Sequence, residues 1–458
     1  MKAKLCFFDD YYIAARPGTK RRTFKPQKFG EFSDNNASLQ LYTSFFYDTL
    51  SSKYRLYYEV PASGKGTEVR VLKLAEADCV KDFIEGKVKI TTVKGLDDEH
   101  GVHGCAVTFN PDATDVNKRY ILLGNAYADD KSKRYFCRSF SSDGKTFSGV
   151  QRVYPQNCFL DYKDTYNSVY YNPYLKEFQA TTRCATMDRR IAVITSKDGE
   201  TWSEPRLILH PQAQGNTGVQ YYALGVSHID GLFYGILWRF MTDIGRADFT
   251  DMSGYMENDL LYSYDGTCFS STGLEPVCER PLPPEYGCKQ LWLLNIAEAN
   301  DKYILCGGAT NIAHGASYGN GKFAITVFYE IRKDGFCALE GFGKNSIVYT
   351  KPILFDGGNV ELNFNAISGR VDVAILDIDG NEIEGFGFSD CVPFEKTDTV
   401  KGRLTYKNAD VNTLCKKQIR FAIRLDNALI YSMSFEGKPF LHSRPQMSFN
   451  NPAPITEY

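Results

Sequence analysis

The chain reads as an all-β protein, a five-bladed β-propeller followed by a C-terminal β-sandwich. Three observations predict this. A strand, an Asp- or Asn-bearing turn and a second strand opening on an aromatic recur five times. Four of the five copies are followed by another strand and an Asp-Gly turn. After Thr350 the repeat stops, and strands of regular alternation such as Val371, Val373 and Ile375 take over.

The five copies begin at Ser44, Ala106, Ser168, Gly225 and Leu294. The third is representative. Ser168–Tyr171 alternates polar and aromatic residues, Asn172-Pro173 breaks it, and Glu177–Thr182 returns as a second strand. Arg190–Thr195 is the third strand, closing on Lys197-Asp198-Gly199. The other Asp-Gly turns are Asp143-Gly144, Asp265-Gly266 and Asp334-Gly335, so successive turns lie 55, 67 and 69 residues apart. That spacing holds one blade of four short strands. The first copy lacks the turn, and Val71–Ala75 is its expected third strand. Small sheets arrayed in a ring protect one another's edges, which is the physical reason for closure. Leu5–Phe8 or Tyr11–Ala15 is the expected closing strand of the last blade.

A chain of 458 residues exceeds one ordinary hydrophobic core and predicts two domains. The propeller is expected over 1–349, closed by an N-terminal strand, the sandwich over 350–437, and a proline-bearing C-terminal arm over 438–458. The sandwich carries Asp-Gly turns at Asp356-Gly357 and Asp379-Gly380. Only Ala75–Lys94 has helical character.

Composition narrows the function. Apolar residues make up 43% and charged residues 24%, as in soluble globular proteins. The 53 Lys and Arg against 55 Asp and Glu exclude a nucleic-acid surface built on bulk positive charge. The start, MKAKLCFFDDYYIAARPG, breaks its apolar run at Asp9-Asp10 and lacks the core of a signal peptide. No run approaches the roughly 18 apolar residues of a spanning helix. The 13 cysteines are odd in number and without C-x-x-C pairs, which predicts neither a disulfide framework nor a zinc knuckle. Cys158, Cys184 and Cys306 read as small buried hydrophobes. A reducing cytoplasm is the expected location.

Two turns, Ser196-Lys-Asp198-Gly199-Glu-Thr201-Trp202 and Ser141-Ser-Asp143-Gly144-Lys-Thr146-Phe147, resemble the Asp-box of sialidase-like propellers, one residue short between Asp and Gly. Their expected role is scaffold, the Asp capping backbone N–H groups. The whole plan is similar to glycoside hydrolases of families 32 and 43. It resembles more closely a group of glycosyl-hydrolase-like propeller proteins with a C-terminal sandwich. That resemblance rests on Phe7-Phe8-Asp9-Asp10-Tyr11-Tyr12-Ile13, Arg21-Arg22, Asp164-Thr165-x-Asn167 with Arg183, and Asn258-Asp259-Leu260. It rests also on Lys333-Asp334-Gly335-Phe336, Thr350-Lys351-Pro352 and Leu376-Asp377-x-Asp379-Gly380. The fructan-enzyme blocks (Trp-Met-Asn-Asp-Pro-Asn-Gly, Arg-Asp-Pro and Glu-Cys) are absent, so those families' acid, base and substrate do not carry over.

Residues just before each first strand of a propeller converge on the channel mouth, where chemistry is expected. Sugar hydrolysis needs two carboxyls, one protonated and one ionised, over an aromatic floor. The acids near the mouth are Glu99, Asp161, Asp164, Glu257 and Glu285. Asp164 and Glu99 are the expected catalytic pair, with Asp161 in reserve; Thr165 and Asn167 are the expected donors holding Asp164 ionised. Substrate-binding candidates are Arg183, Asn167, His100, Gln220, Tyr222, Trp238, Arg239, Lys289 and Trp292. Glu99-His100-x-x-His103 invites a metal, but residues three apart on a strand face opposite sides, so no metal or other cofactor is expected. Two alternatives stay open: a non-catalytic carbohydrate-binding propeller, and a metal-dependent sugar deacetylase or lyase on the same scaffold.

Overall fold

The computed structural model describes residues 2–34, 42–61, 70–96, 101–127, 134–155, 165–183, 189–211, 218–242, 254–314 and 324–439. Contacts divide the chain into two compact units, 26–330 and the combination of 1–25 with 331–458. The sequence reading instead put the boundary at Thr350.

Unit 26–330 is the five-bladed propeller. Blade one comprises Thr43–Asp48, Lys53–Pro61, Arg70–Ala77 and Lys89–Thr92. Blade two comprises Val102–Phe109, Tyr120–Tyr127, Arg134–Ser141 and Gln151–Arg152. Blade three comprises Ser168–Asn172, Glu177–Arg183, Ile191–Ser196 and Arg206–Leu209. Blade four is Val219–Ile229, Leu232–Thr242, Gly254–Ser263 and Ser270–Leu274. Blade five takes Gln290–Ala299, Lys302–Thr310 and Ala324–Arg332, and its fourth strand is Gln27–Phe32, paired through Phe328↔Gly30. This strand closes the ring, in place of Leu5–Phe8 or Tyr11–Ala15. Among the described residues the one α-helix, Val80–Ile84, buries Val80 and Phe83 in an apolar cluster shared by blades one and five.

The innermost strands touch in ring order, and a hydrogen bond pins each of the five junctions. The Val107 N–H donates to Ser44 Oγ (2.9 Å), Asn125 Nδ2 to the Thr165 carbonyl (3.2 Å) and the Val226 N–H to Ser168 Oγ (3.0 Å). The Ile296 N–H donates to Ser227 Oγ (2.9 Å), and the Phe45 N–H to Asn295 Oδ1 (3.0 Å). The approach is close enough that a Cβ on Gly225 would sit 2.0 Å from the Leu294 carbonyl oxygen.

Three Asp-Gly turns share one geometry. The Asp198 carboxylate accepts from the N–H groups of Glu200 (2.8 Å) and Thr201 (2.9 Å) and from Ser196 Oγ (3.0 Å). Asp143 repeats this with Lys145, Thr146 and Ser141, and Asp265 with Thr267, Cys268 and Ser263. The glycine after each Asp has φ between +73° and +79°, left-handed backbone that suits glycine. Tyr57 Oη donates to the Gly144 carbonyl (2.9 Å) and Tyr170 Oη to that of Gly266 (2.7 Å), so these turns also latch neighbouring blades.

The second unit is the sandwich. In one sheet Ala428–Pro439 lies beside Cys337–Gly341, Ile353–Asn365 and Lys2–Cys6, with Thr19–Thr23 and Asp398–Arg403 further out. The other contains Ile13–Ala15, Ile347–Thr350, Gln418–Asp426, Arg370–Leu376 and Phe394–Glu395. Leu362, Phe364, Ile430, Met433, Val373, Ile375, Phe421 and Ile423 form its buried centre. Asp356-Gly357, expected as a turn, is instead an irregularity inside the long strand Ile353–Asn365: Gly357 and Gly358 take φ of +96° and +79°, and the register to Ala428–Pro439 shifts there. Asp334-Gly335 leads out of blade five into Cys337–Gly341, and its carboxylate takes Lys4 Nζ (3.0 Å) and Ser432 Oγ (2.6 Å).

Candidate active site

At the end of the propeller where the first strands begin, aromatic rings from four blades meet on the axis. Tyr42 precedes blade one's first strand and Tyr166 blade three's. Tyr222 and Trp238 belong to blade four, and Trp292 to blade five. Ring centroids of Trp238 and Trp292 are 5.1 Å apart, of Tyr42 and Trp292 5.5 Å, and of Tyr42 and Tyr166 6.2 Å with planes nearly parallel. All five are buried, so they plug the channel and form its floor.

Polar groups surround this floor. On the side of blades one and two, the buried Glu59 carboxylate accepts from the Cys105 N–H (2.8 Å) and lies 3.1 Å from His103 Nδ1. Arg70 Nη1 is 2.5 Å from the same ring nitrogen, and Tyr42 touches the imidazole edge-on at 5.0 Å. Burial alone raises the Glu59 carboxyl. His103, Arg70 and the Cys105 N–H more than offset it, holding the group below the usual carboxylate range.

Tyr222 is the centre of the opposite side. Arg183 stacks over its ring, Cζ 4.3 Å from the centroid, and Nε donates to its carbonyl (3.4 Å). Arg189 Cζ lies 5.1 Å from the same centroid and 5.5 Å from that of Phe240, while its Nη1 bonds Gln220 Oε1. His314 Nε2 is 3.2 Å from the Tyr222 hydroxyl.

Further out on blade four, Glu257 and Asp259 stand two residues apart on one strand and so face the same way. Arg239 Nη2 bridges them, 3.0 Å from Glu257 and 3.2 Å from Asp259, and Arg280 Nε lies 3.5 Å from Glu257. Asp259 is buried, which pushes its carboxyl up. The Arg239 charge, shared with Glu257, offsets only part of this, and nearby Glu275 and Glu257 add to the rise, leaving it at about 7.

The expected site residues fare differently. Asp161, Asp164, Glu99 and His100 lie outside the described residues, as do Cys158 and Cys184. Arg183, Gln220, Tyr222 and Trp292 come together at the mouth, and Arg239 joins the acidic pair. Lys289 is exposed. Asn167 and Trp238 are corrections. Each has no solvent exposure, because Asn167 is consumed by the Thr165 carbonyl (3.0 Å) and the Thr182 hydroxyl (2.7 Å), and Trp238 Nε1 by the Leu293 carbonyl (2.6 Å). Nor do Thr165 and Asn167 reserve their side-chain donors for Asp164: the Thr165 hydroxyl donates to the Tyr222 carbonyl (3.2 Å). Tyr42, Glu59, Arg189, Asp259 and His314 were missed. Glu59 and Asp259 sit inside second and third strands, away from the starts of the first strands, and Arg189 and His314 depend on blades folding beside one another. Among the described residues no three His, Cys, Asp or Glu are arranged to hold a metal ion. Cys306 is fully buried, and no described helix is long and apolar enough to cross a membrane.

No family model matches the chain, and no curated protein matches it in sequence. Solved structures of similar fold are glycosidase-like propellers. An N-acetylgalactosamine deacetylase from F. plautii, in complex with blood group B trisaccharide, is 12% identical with a TM-score of 0.46, over 70% of this chain and 97% of that one. The Bombyx mori GH32 β-fructofuranosidase is 11% identical with a TM-score of 0.44, over 92% and 95%. An α-L-arabinofuranosidase from Podospora anserina, in complex with cellotriose, is 9% identical with a TM-score of 0.44, over 67% and 98%. At these values the likeness is one of architecture, and chemistry has to be read from this chain's own residues.

Proposed function

We propose that this chain is a glycoside hydrolase that cleaves a glycosidic bond at the channel mouth with a pair of carboxyls. The observation that supports this is the convergence, at one end of the ring, of an aromatic floor with guanidinium, imidazole and amide groups from several blades. Such a surface suits a pyranose, whose faces are apolar and whose rim is hydroxylated. The proposed catalytic carboxyls are Asp164 and Glu99, with Asp161 as a third candidate. Asp164 directly precedes Thr165, which is bonded to Tyr222 at this end, and Glu99 lies three residues before Val102, where blade two begins.

In this mechanism one carboxyl protonates the leaving oxygen while the other, ionised, attacks the anomeric carbon or activates a water. The test is Asp164→Asn, assayed against a panel of nitrophenyl glycosides and oligosaccharides by product release. The expected loss is about 10³-fold, the scale of a general acid or base. Full activity in the variant would sink the assignment of Asp164. A wild-type protein that binds saccharides without releasing product would favour the non-catalytic alternative.

A further inference from the structure

Three of the sequence blocks singled out above take no part in the channel mouth. Residues 7–13, Arg21-Arg22 and Thr350-Lys351-Pro352 meet in the second unit instead. Ile13 pairs with Thr350, and the Lys351 N–H donates to the Tyr12 carbonyl (2.8 Å). Arg21 Nε donates to the Phe7 carbonyl (2.7 Å), so the turn at 7–12 is held from both sides. Within it Asp10 is matched by Arg16 (2.8 Å) and Arg21 (2.5 Å), and Asp9 Oδ1 accepts the Tyr11 N–H (2.9 Å).

Lys351 is the exception. Its Nζ lies over the Tyr11 ring, 5.8 Å from the centroid, and among the described residues it makes neither a hydrogen bond nor an ion pair. The side chain is half-buried, so the ammonium has given up water and gained only a ring face. Burial pulls Lys351 below the usual lysine range, and the Asp9 carboxylate pushes back only in part. An amine is a nucleophile only when unprotonated, and partial desolvation raises that share. A partly exposed position also leaves the amine open to a small reagent.

We propose that Lys351 is an acylation site, its Nζ accepting small acyl groups from thioesters. The nitrogen lone pair attacks the thioester carbonyl carbon, the C–S bond breaks, the thiolate leaves and the nitrogen gives its proton to water. The product is an amide that has lost the positive charge facing Asp9. Nothing in this depends on the glycosidase reading.

Acetyl-coenzyme A is the probe. Wild-type protein is incubated with it from about pH 6.5 to about pH 10, and initial rates of acetylation are read peptide by peptide by mass spectrometry. Lys344, Lys401 and Lys417, exposed lysines of the same unit, are the comparators. The Lys351 rate should reach half of its own plateau at lower pH than theirs, and at pH 8 Lys351 should be modified severalfold faster than any of the three. Lys351→Arg, which keeps the charge and cannot form the amide, confirms the modified peptide by its loss. Asp9→Asn keeps an acceptor for the Tyr11 N–H and removes the charge. It should move the Lys351 curve to still lower pH and leave the other three in place. Coincident curves in the wild type, slower modification of Lys351 than of the comparators at pH 8, or no acetylation at all overturn the inference. A Lys351 curve that stays put in Asp9→Asn overturns it too, since the reactivity would then owe nothing to this turn. If that variant fails to fold, the wild-type curves decide alone.

Discussion

At Asp259, burial and a shared arginine act in opposite directions, and burial prevails. A carboxyl raised to about 7 binds its proton more tightly in the folded chain than in the unfolded one. The stabilisation it brings is therefore complete below the ordinary carboxylate pKa, near 4, and is lost as pH rises through 7. Asp259→Asn removes the titration. Urea unfolding at pH 5 and pH 8 should show the variant gaining on the wild type by about 3 kcal/mol between the two. A difference that stays constant would mean Asp259 is already ionised in the fold. The residue also marks a limit of reading sites from sequence. Tyr222 and Trp292 lie near the start of first strands, so their sequence position alone places them at this end of the ring. Asp259 lies mid-strand between Asn258 and Leu260, both buried, so alternation says nothing about which polar residue is enclosed. Its partner Arg239 is expected as a substrate-binding residue, and its pairing with Glu257 and Asp259 appears only when the two strands align.

The elements themselves were more legible, because turn chemistry is local. Asp-Gly after a strand specifies a left-handed glycine and a carboxylate that caps two N–H groups, and this needs no distant partner. Two such turns are evident from their Thr-Trp and Thr-Phe endings. The third, at Asp265, folds identically although Cys268 replaces the threonine, since the bonds run to backbone N–H groups. In Asp143, Asp198 and Asp265 burial raises the carboxyl, but the backbone N–H groups prevail and hold it below its usual value. Their contribution is present above about pH 4 and is lost as pH falls below it. Asp198→Ala deletes the acceptor for two N–H groups and should cost about 1–2 kcal/mol in urea unfolding at neutral pH. The same substitution at Asp143 or Asp265 should cost more, since those turns also hold carbonyls to Tyr57 and Tyr170 in place. Equal losses at all three would show that the latches between blades contribute little. Asp356-Gly357 is the counterexample: the same dipeptide lies within a strand whose neighbours continue past it, and local chemistry cannot announce that.

Closure belongs to the whole ring, and here sequence says least. Gln27–Phe32 has no alternation that would mark it as a blade strand; its place is set by the edge that Ala324–Arg332 leaves unpaired, about three hundred residues later in the chain. Where the ring closes, Phe328 is fully buried and packs against Phe45 and Phe83 of blade one, with centroids 5.6 and 5.7 Å away. Each blade presents two faces to neighbours, so opening one junction exposes apolar surface on both sides. The five junction bonds distribute that dependence around the axis rather than concentrating it in one blade. Phe328→Ala should therefore cost about 3–5 kcal/mol, the scale of a buried aromatic truncation, and do so for the propeller as a unit. Followed by urea unfolding with hydrogen exchange at inner-strand amides of blades one, three and five, the variant should lose protection in all three together. Loss confined to blade five, with blade three as protected as before, would mean that the blades are stable individually and that the ring is an arrangement without shared cooperativity.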